Sequence, residues 1–287
     1  MKCVILMFAL CIVILTGCGI ADEGKTTSTN ENSIASEENN DLEDRLTMGT
    51  ENYKGFQIDN VLHSDSLGEI HYHIYVSDGY DGSEPYALYV TLPGYEGLYF
   101  QGVGENLKSE NFAFEAQKYN DKMIIAAPQL DDWGETSANK TVELVRFLIE
   151  YYNVDSSKIY TNGYSGSGET MSLVLEKAPE LFTAYLHCSS KWDGNFSGVI
   201  KNQLPVYFVI GENDEYYGSE PTKQTYKEMR DTYRKQGVSE GQIDKLLILD
   251  VKEHAYFTAG GINVEHGGGI LFAQDNNIMG WLFSQKK

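Results

Sequence analysis

The chain is 287 residues long and carries a formal net charge of −20 at neutral pH, from 42 acidic against 22 basic side chains. Such a surface repels nucleic acid and anionic lipid headgroups, which excludes both as direct docking partners; it names no substrate. Hydrophobic residues make up 41% of the chain, enough to bury one sizeable core in a single domain.

Residues 1–17 read as a secretory signal: one basic residue, Lys2, then an apolar run from Cys3 to Leu15 and small residues after it. The run is shorter than the ~20 residues a membrane span needs. Leu15, Thr16, Gly17 and Cys18 resemble a bacterial lipobox, in which cleavage before the cysteine leaves it as the lipid-modified first residue. That resemblance implies acylation of Cys18, palmitate included, and retention on the extracytoplasmic face of the cell membrane. Two or three chains anchor stably, because each buried methylene contributes ~0.8 kcal/mol and one chain alone is marginal. Residues 18–51 are rich in Glu, Asn, Ser, Thr and Asp and poor in large apolar side chains, so they read as a flexible tether. Residues 52–287 are the expected globular domain. With Cys3 and Cys11 in the signal and Cys18 lipidated, Cys188 stands alone in an apolar strand, a small buried hydrophobe with no disulfide partner in the chain.

Within the domain, Gly55–His63 and Glu69–Val76 flank a turn-like segment and predict an antiparallel pair. The runs starting at Tyr86 and Lys122 predict buried strands that stop at Pro93–Gly94 and Pro128. A helix follows, with Ser137 as its expected N-cap and apolar residues at Val142, Val145, Leu148 and Ile149. Then come a strand from Lys158, a helix from Gly168 broken near Pro179, a strand over Thr183–Ser190 and another over Leu204–Gly211. An amphipathic helix stopped by Gly237, a strand over Lys245–Val251 and a last helix from Asn276 close the series. Alternating strands and helices, several of the strands continuous apolar runs, predict a mostly parallel sheet with helices on both faces. In such sheets the ligand crevice lies beyond the carboxyl ends of the strands.

One such end carries Gly163-Tyr164-Ser165-Gly166-Ser167 between a strand and a helix. A G-x-S turn in that context lifts a serine hydroxyl to a helix N-terminus, and small residues around it allow the sharp turn. Ser165 fits as nucleophile; Ser167 fits less well, since Glu169 would then occupy a position that must be small. A catalytic serine needs a base, an acid and oxyanion donors. Asp214, just past the strand-ending Gly211, is the expected acid. Glu212, Glu215 and Asp193 read as solvated loop charges. Two histidines share the last long loop, His266 and His254; His266 is the preferred base, with His254 as the alternative. The backbone N–H groups of Tyr95 and Gly166 are the expected oxyanion donors by position.

Leu92-Pro93-Gly94-Tyr95, the GYSGSGE turn from Gly163, GENDEYYG from Gly211 and EHGGG from Glu265, in that order, resemble an α/β-hydrolase. More narrowly they resemble secreted esterases of the polyhydroxybutyrate-depolymerase and feruloyl-esterase kind. The resemblance covers about residues 86–283 and implies the α/β-hydrolase fold, with Ser165, Asp214 and one C-terminal histidine as nucleophile, acid and base of a serine carboxylic-ester hydrolase. It departs from the pattern at Ser167, where a glycine is usual, and in offering two histidines.

The crevice loops are aromatic, with Trp133, Trp192 and Tyr217 as expected substrate contacts beside Tyr95, Tyr99, Phe100, Tyr216, Tyr256 and Phe257. Aromatic faces suit sugar rings and phenolic acyl groups, which points to an ester on a polysaccharide. No metal-ligand or nucleotide motif is present in the sequence, so no cofactor and no metal are expected. Two rival readings remain open: a serine peptidase of the prolyl-oligopeptidase type, and a surface-tethered binding lipoprotein that has kept the fold without turnover.

Overall fold

The computed structural model describes residues 42–287 apart from Pro93 and Glu110. The chain divides into Met1–Glu38 and Asn39–Lys287, and the described residues all belong to the second unit. The expected signal, Cys18 and most of the expected tether lie outside the described residues.

Ten strands form one sheet: β1 (Leu46–Thr47), β2 (Glu51–Tyr53), β3 (Phe56–Ser64), β4 (Gly68–Val76), β5 (Tyr86–Leu92), β6 (Met123–Pro128), β7 (Val154–Tyr164), β8 (Ala184–Cys188), β9 (Val206–Gly211) and β10 (Leu247–Lys252). Their order is β1-β3-β4-β6-β5-β7-β8-β9-β10, with β2 also on β3. Pairing is antiparallel as far as β4–β6 and parallel from there to β10. The fold is therefore the mostly parallel one that the apolar runs predict.

From β5 onward the helices are α1 (Asn106–Ser109), α2 (Phe112–Ala116), α3 (Glu135–Tyr151), α4 (Gly166–Lys177), α5 (Ser197–Asn202), α6 (Glu220–Lys235), α7 (Glu240–Leu246), α8 (His254–Ala259), α9 (Gly269–Gln274) and α10 (Asn276–Ser284). Strand side chains alternate between faces, and each face has its own core. Leu88, Val90 and Leu92 of β5 join Val145 and Leu148 of α3, Val174 of α4 and Met229 of α6. Ala87 and Tyr89 of the same strand join Phe112 of α2, Phe272 of α9 and Leu282 of α10. Because both faces are covered, β5, β6, β8 and β9 are buried at every residue, which explains their unbroken apolar sequence.

Two local expectations need correction. The folded part begins before Asn52: Leu46 and Thr47 pair with Leu62 and Val61, and Glu51 with Ile58. Leu42 and Leu46 pack on the core, and Arg45 Nη2 meets Glu143 Oε1 at 2.7 Å. These edge strands are held by main-chain bonds and two scattered leucines, which a polar composition hides. Ser137 is not the N-cap of α3, which starts at Glu135. Its hydroxyl accepts the N–H groups of Asp131 and Asp132, both at 3.0 Å, while Asp132 Oδ1 takes the N–H of Gly134 at 3.0 Å and of Ser137 at 3.2 Å. A carboxylate is the stronger acceptor for the orphan donors of a helix start, so Asp132 takes that role.

The strand order decides where a site can form. After β5 the chain moves outward to β6, then returns to the other side of β5 as β7. Connections leaving β5 and β7 at their carboxyl ends diverge, and the crevice opens between Leu92 and Tyr164.

Candidate active site

At the end of β7 the backbone turns sharply. Ser165 has φ 57° and ψ −131°, a conformation that side-chain-bearing residues rarely adopt, and it stands immediately before α4. Its N–H donates to Cys188 O at 3.0 Å, and Gly168 N–H donates to Ser165 O at 2.8 Å. A Cβ at Gly163 would meet Ser167 O at 2.7 Å, so the turn closes only over a glycine there. Ser167 is completely buried, whereas Ser165 is only partly buried. Of the two serines, Ser165 is therefore the one that faces the crevice.

Ser165 Oγ lies 2.9 Å from His266 Nε2. His266 Nδ1 lies 2.9 Å from Asp214 Oδ2 and 3.1 Å from Oδ1. An ionised carboxylate can only accept, so the imidazole proton sits on Nδ1 and Nε2 is free to take the serine proton. The Asp214 side chain is fully buried, and Oδ1 also accepts from the N–H of Tyr216 at 3.0 Å and Tyr217 at 2.8 Å. Burial alone would raise its pKa, but the bonds from His266 and from the Tyr217 and Tyr216 amides outweigh it and hold the carboxyl below its usual 3.8.

His254 goes elsewhere. It opens α8, its side chain is 57% exposed, and its Nδ1 meets Glu265 Oε1 at 3.1 Å. The structure thus brings His266, and not His254, to Ser165. His187 and Cys188 lie fully buried in β8, where burial lowers the His187 pKa to about 4.

No family model matches the chain, and comparison with curated proteins finds no significant similarity. Solved structures do match. A thermostable esterase superposes with a TM-score of 0.63 at 20% identity, over 86% of this chain and 64% of that one. Oligopeptidase B from Leishmania major superposes with a TM-score of 0.52 at 12% identity, over 79% of this chain and 37% of that one. This chain therefore spans less than two thirds of either. The chain has the α/β-hydrolase fold.

In this α/β-hydrolase fold the expected oxyanion donors both begin helices. Tyr95 starts the 3-10 turn Tyr95–Gly97 after β5, and Gly166 starts α4. A first helical N–H has no acceptor within its helix, so both remain available to a ligand. The Tyr95 turn packs against α4.

The three expected aromatic contacts separate. Trp133 covers the elbow: a Cβ at Gly166 would lie 2.4 Å from its indole. Tyr217 has its ring 5.6 Å from that of His266 and donates its hydroxyl to Glu169 Oε1 at 2.5 Å; burial and this carboxylate keep the phenol protonated, well above its usual range. Trp192 is partly buried and packs against the core. Its ring packs on His187, Tyr185 and Phe208 at 5.5, 5.9 and 6.1 Å, because the loop after β8 folds back over an apolar face that only tertiary packing creates. Phe257 is fully buried, while Tyr95, Phe100 and Tyr216 stay exposed.

Two acids not singled out in the sequence hold the loop that carries His266. Glu215, read there as a solvated loop charge, accepts from the N–H of Glu265 at 3.0 Å and of His266 at 2.9 Å. Glu265 is buried and accepts from Asn213 N–H at 2.7 Å and Asn213 Nδ2 at 3.2 Å as well as facing His254. Both Glu215 partners are main-chain amides about 50 residues away, and Glu265 meets Asn213 across a similar stretch, so no spacing signals them. Among the described residues, no group of three or more His, Cys, Asp or Glu side chains could hold a metal ion.

The depressed Asp214 pKa predicts a pH signature in stability. The native state holds the Asp214 proton more weakly than the unfolded chain does, so the ionised carboxylate stabilises the fold fully above 3.8. That contribution shrinks as pH falls below the unfolded value and is gone once pH passes the lower folded one. Denaturant midpoints between roughly pH 5 and pH 3 should therefore fall more steeply in the wild type than in Asp214→Asn. Parallel curves would remove the linkage.

Proposed function

We propose that this protein is a serine hydrolase that cleaves carboxylic esters through an acyl-enzyme. The observation that carries the reading is the unbroken hydrogen-bond chain from Ser165 Oγ through His266 to the buried Asp214, built on a strained strand-to-helix turn. Ser165 Oγ attacks the ester carbonyl while His266 Nε2 takes its proton, and Asp214 stabilises the imidazolium that forms. The N–H groups of Tyr95 and Gly166 stabilise the oxyanion. His266 then gives its proton to the departing alcohol. A water repeats the sequence on the acyl-enzyme, losing a proton to His266 and releasing the acid and the free serine.

A carbohydrate-linked ester is the favoured substrate. Its support is the set of exposed aromatic rings near the elbow: Tyr95 against Phe100 at 6.1 Å, and Tyr216 at 5.2 Å from His266. Exposed rings offer apolar faces to sugar or phenolic rings. The rival peptidase reading draws on the resemblance in fold to oligopeptidase B.

The deciding experiment combines fluorophosphonate labelling with parallel assays on short-chain aryl esters and aryl amides of peptides. Labelling with ester turnover is the expected result. Labelling with amide cleavage alone assigns a peptidase, and no labelling assigns a binding protein.

The same reading has the enzyme working outside the cytoplasm on a lipid anchor at Cys18, on the strength of the lipobox-like residues 15–18. Cys18→Ser is expected to release the protein from membranes in a fractionation while its rate on soluble esters is unchanged. Continued retention would show that something other than lipid holds it.

A further inference from the structure

His266 is held at more than its ring. Its Nδ1 faces Asp214, while its backbone N–H donates to Glu215 Oε2 at 2.9 Å and the N–H of Glu265 donates to Glu215 Oε1 at 3.0 Å. Its carbonyl accepts from the hydroxyl of Tyr164, the residue before Ser165. Two successive acids after β9 therefore reach the same base, one through the imidazole and the other through the peptide. His266 sits in the 3-10 turn Glu265–Gly267, only three residues long and followed by glycines. So short a turn has little hydrogen bonding of its own to fix its main chain. Two amides converging on one carboxylate make charge-assisted bonds that orient both peptide planes.

We infer that Glu215 is a positioning residue for the general base, its carboxylate gripping the amides of Glu265 and His266 so that Nε2 stays within reach of Ser165 Oγ. The inference rests on the Ser-His-Asp reading above. Glu215 touches no reacting atom and acts through the backbone of His266. Desolvation raises its pKa, but the bonds from the His266 and Glu265 amides outweigh it and hold the carboxyl below its usual range. The ionisable neighbours of the imidazole are Asp214, Tyr164, Tyr216 and Tyr217, with Glu215 at its backbone.

The test compares wild type, Glu215→Ala and Glu215→Gln in full-length protein. It measures kcat and KM on a short-chain aryl ester and the downfield NMR signal of the His266 Nδ1 proton. Glu215→Ala should lose about 10- to 100-fold in kcat, the scale of a small misplacement, with KM changed less than about two-fold and the proton signal broadened. Glu215→Gln keeps one acceptor oxygen and should recover most of kcat. An unchanged kcat with an intact signal in Glu215→Ala overturns the inference, as does a loss that Glu215→Gln does not recover, or a fall in melting temperature with kcat preserved. If the wild type turns over no ester, the hydrolase reading fails, and the proton signal in Glu215→Ala still decides whether the base is positioned by this carboxylate.

Discussion

Ser165→Ala is expected to lower ester turnover by about 10⁶-fold, the scale seen when a catalytic triad loses a member that acts as a unit with the others. The alanine keeps the turn, since the strain at φ 57° is a property of the backbone and is tolerated by a small side chain. Loss of rate with an unchanged circular dichroism spectrum and melting temperature would isolate the hydroxyl itself. Ser167→Ala is the matched control. Ser167 is fully buried inside α4, so its replacement affects packing and a buried polar group, worth about 1–3 kcal/mol of stability, while most of the turnover survives. Fluorophosphonate labelling of both variants, read by mass spectrometry of the modified peptide, checks the assignment. Persistent labelling of Ser165→Ala, with loss in Ser167→Ala, would move the nucleophile.

The second large effect concerns the base. His266→Ala removes the only imidazole beside Ser165 among the described residues and should cost several orders of magnitude in kcat/KM, about 10⁴- to 10⁶-fold. The remaining rate would come from the oxyanion donors and substrate binding. His254→Ala should fold normally and retain measurable turnover. Its ring is more than half exposed, and the carboxylate it leaves behind, Glu265, keeps both Asn213 contacts. Equal, near-complete loss in both folded variants would mean that the catalytic loop depends on both histidines. A loss confined to His254→Ala would transfer the role to it.

Much of the scaffold was legible because it is written locally. Leu88, Val90 and Leu92 facing one core while Ala87 and Tyr89 face the other is a two-residue period that also makes the run apolar throughout, as a strand covered on both faces requires. The small residues around Ser165 are read the same way. Gly163 must lack a side chain because Ser167 O would be 2.7 Å from its Cβ, a clash set by four residues of chain. Where a helix or domain begins was less legible. Asp132 displaced Ser137 at the start of α3, and Leu46–Thr47 joined the sheet through backbone bonds that no side-chain pattern announces.

The sequence by itself determined the parallel sheet, the strained turn at Ser165 and the short list of acids and histidines able to serve it, because periodicity and steric demand act between residues close along the chain. Tertiary structure alone decided which of those groups meet. His266 reaches Ser165 across 101 residues and Asp214 across 52, over connections whose paths depend on the order of β7, β9 and β10 in the sheet. The same packing laid Trp192 against the core and brought Glu215 to the backbone of His266. Main-chain donors look alike at every position in a sequence, so which carboxylate finds them is set only when the loops are folded against one another.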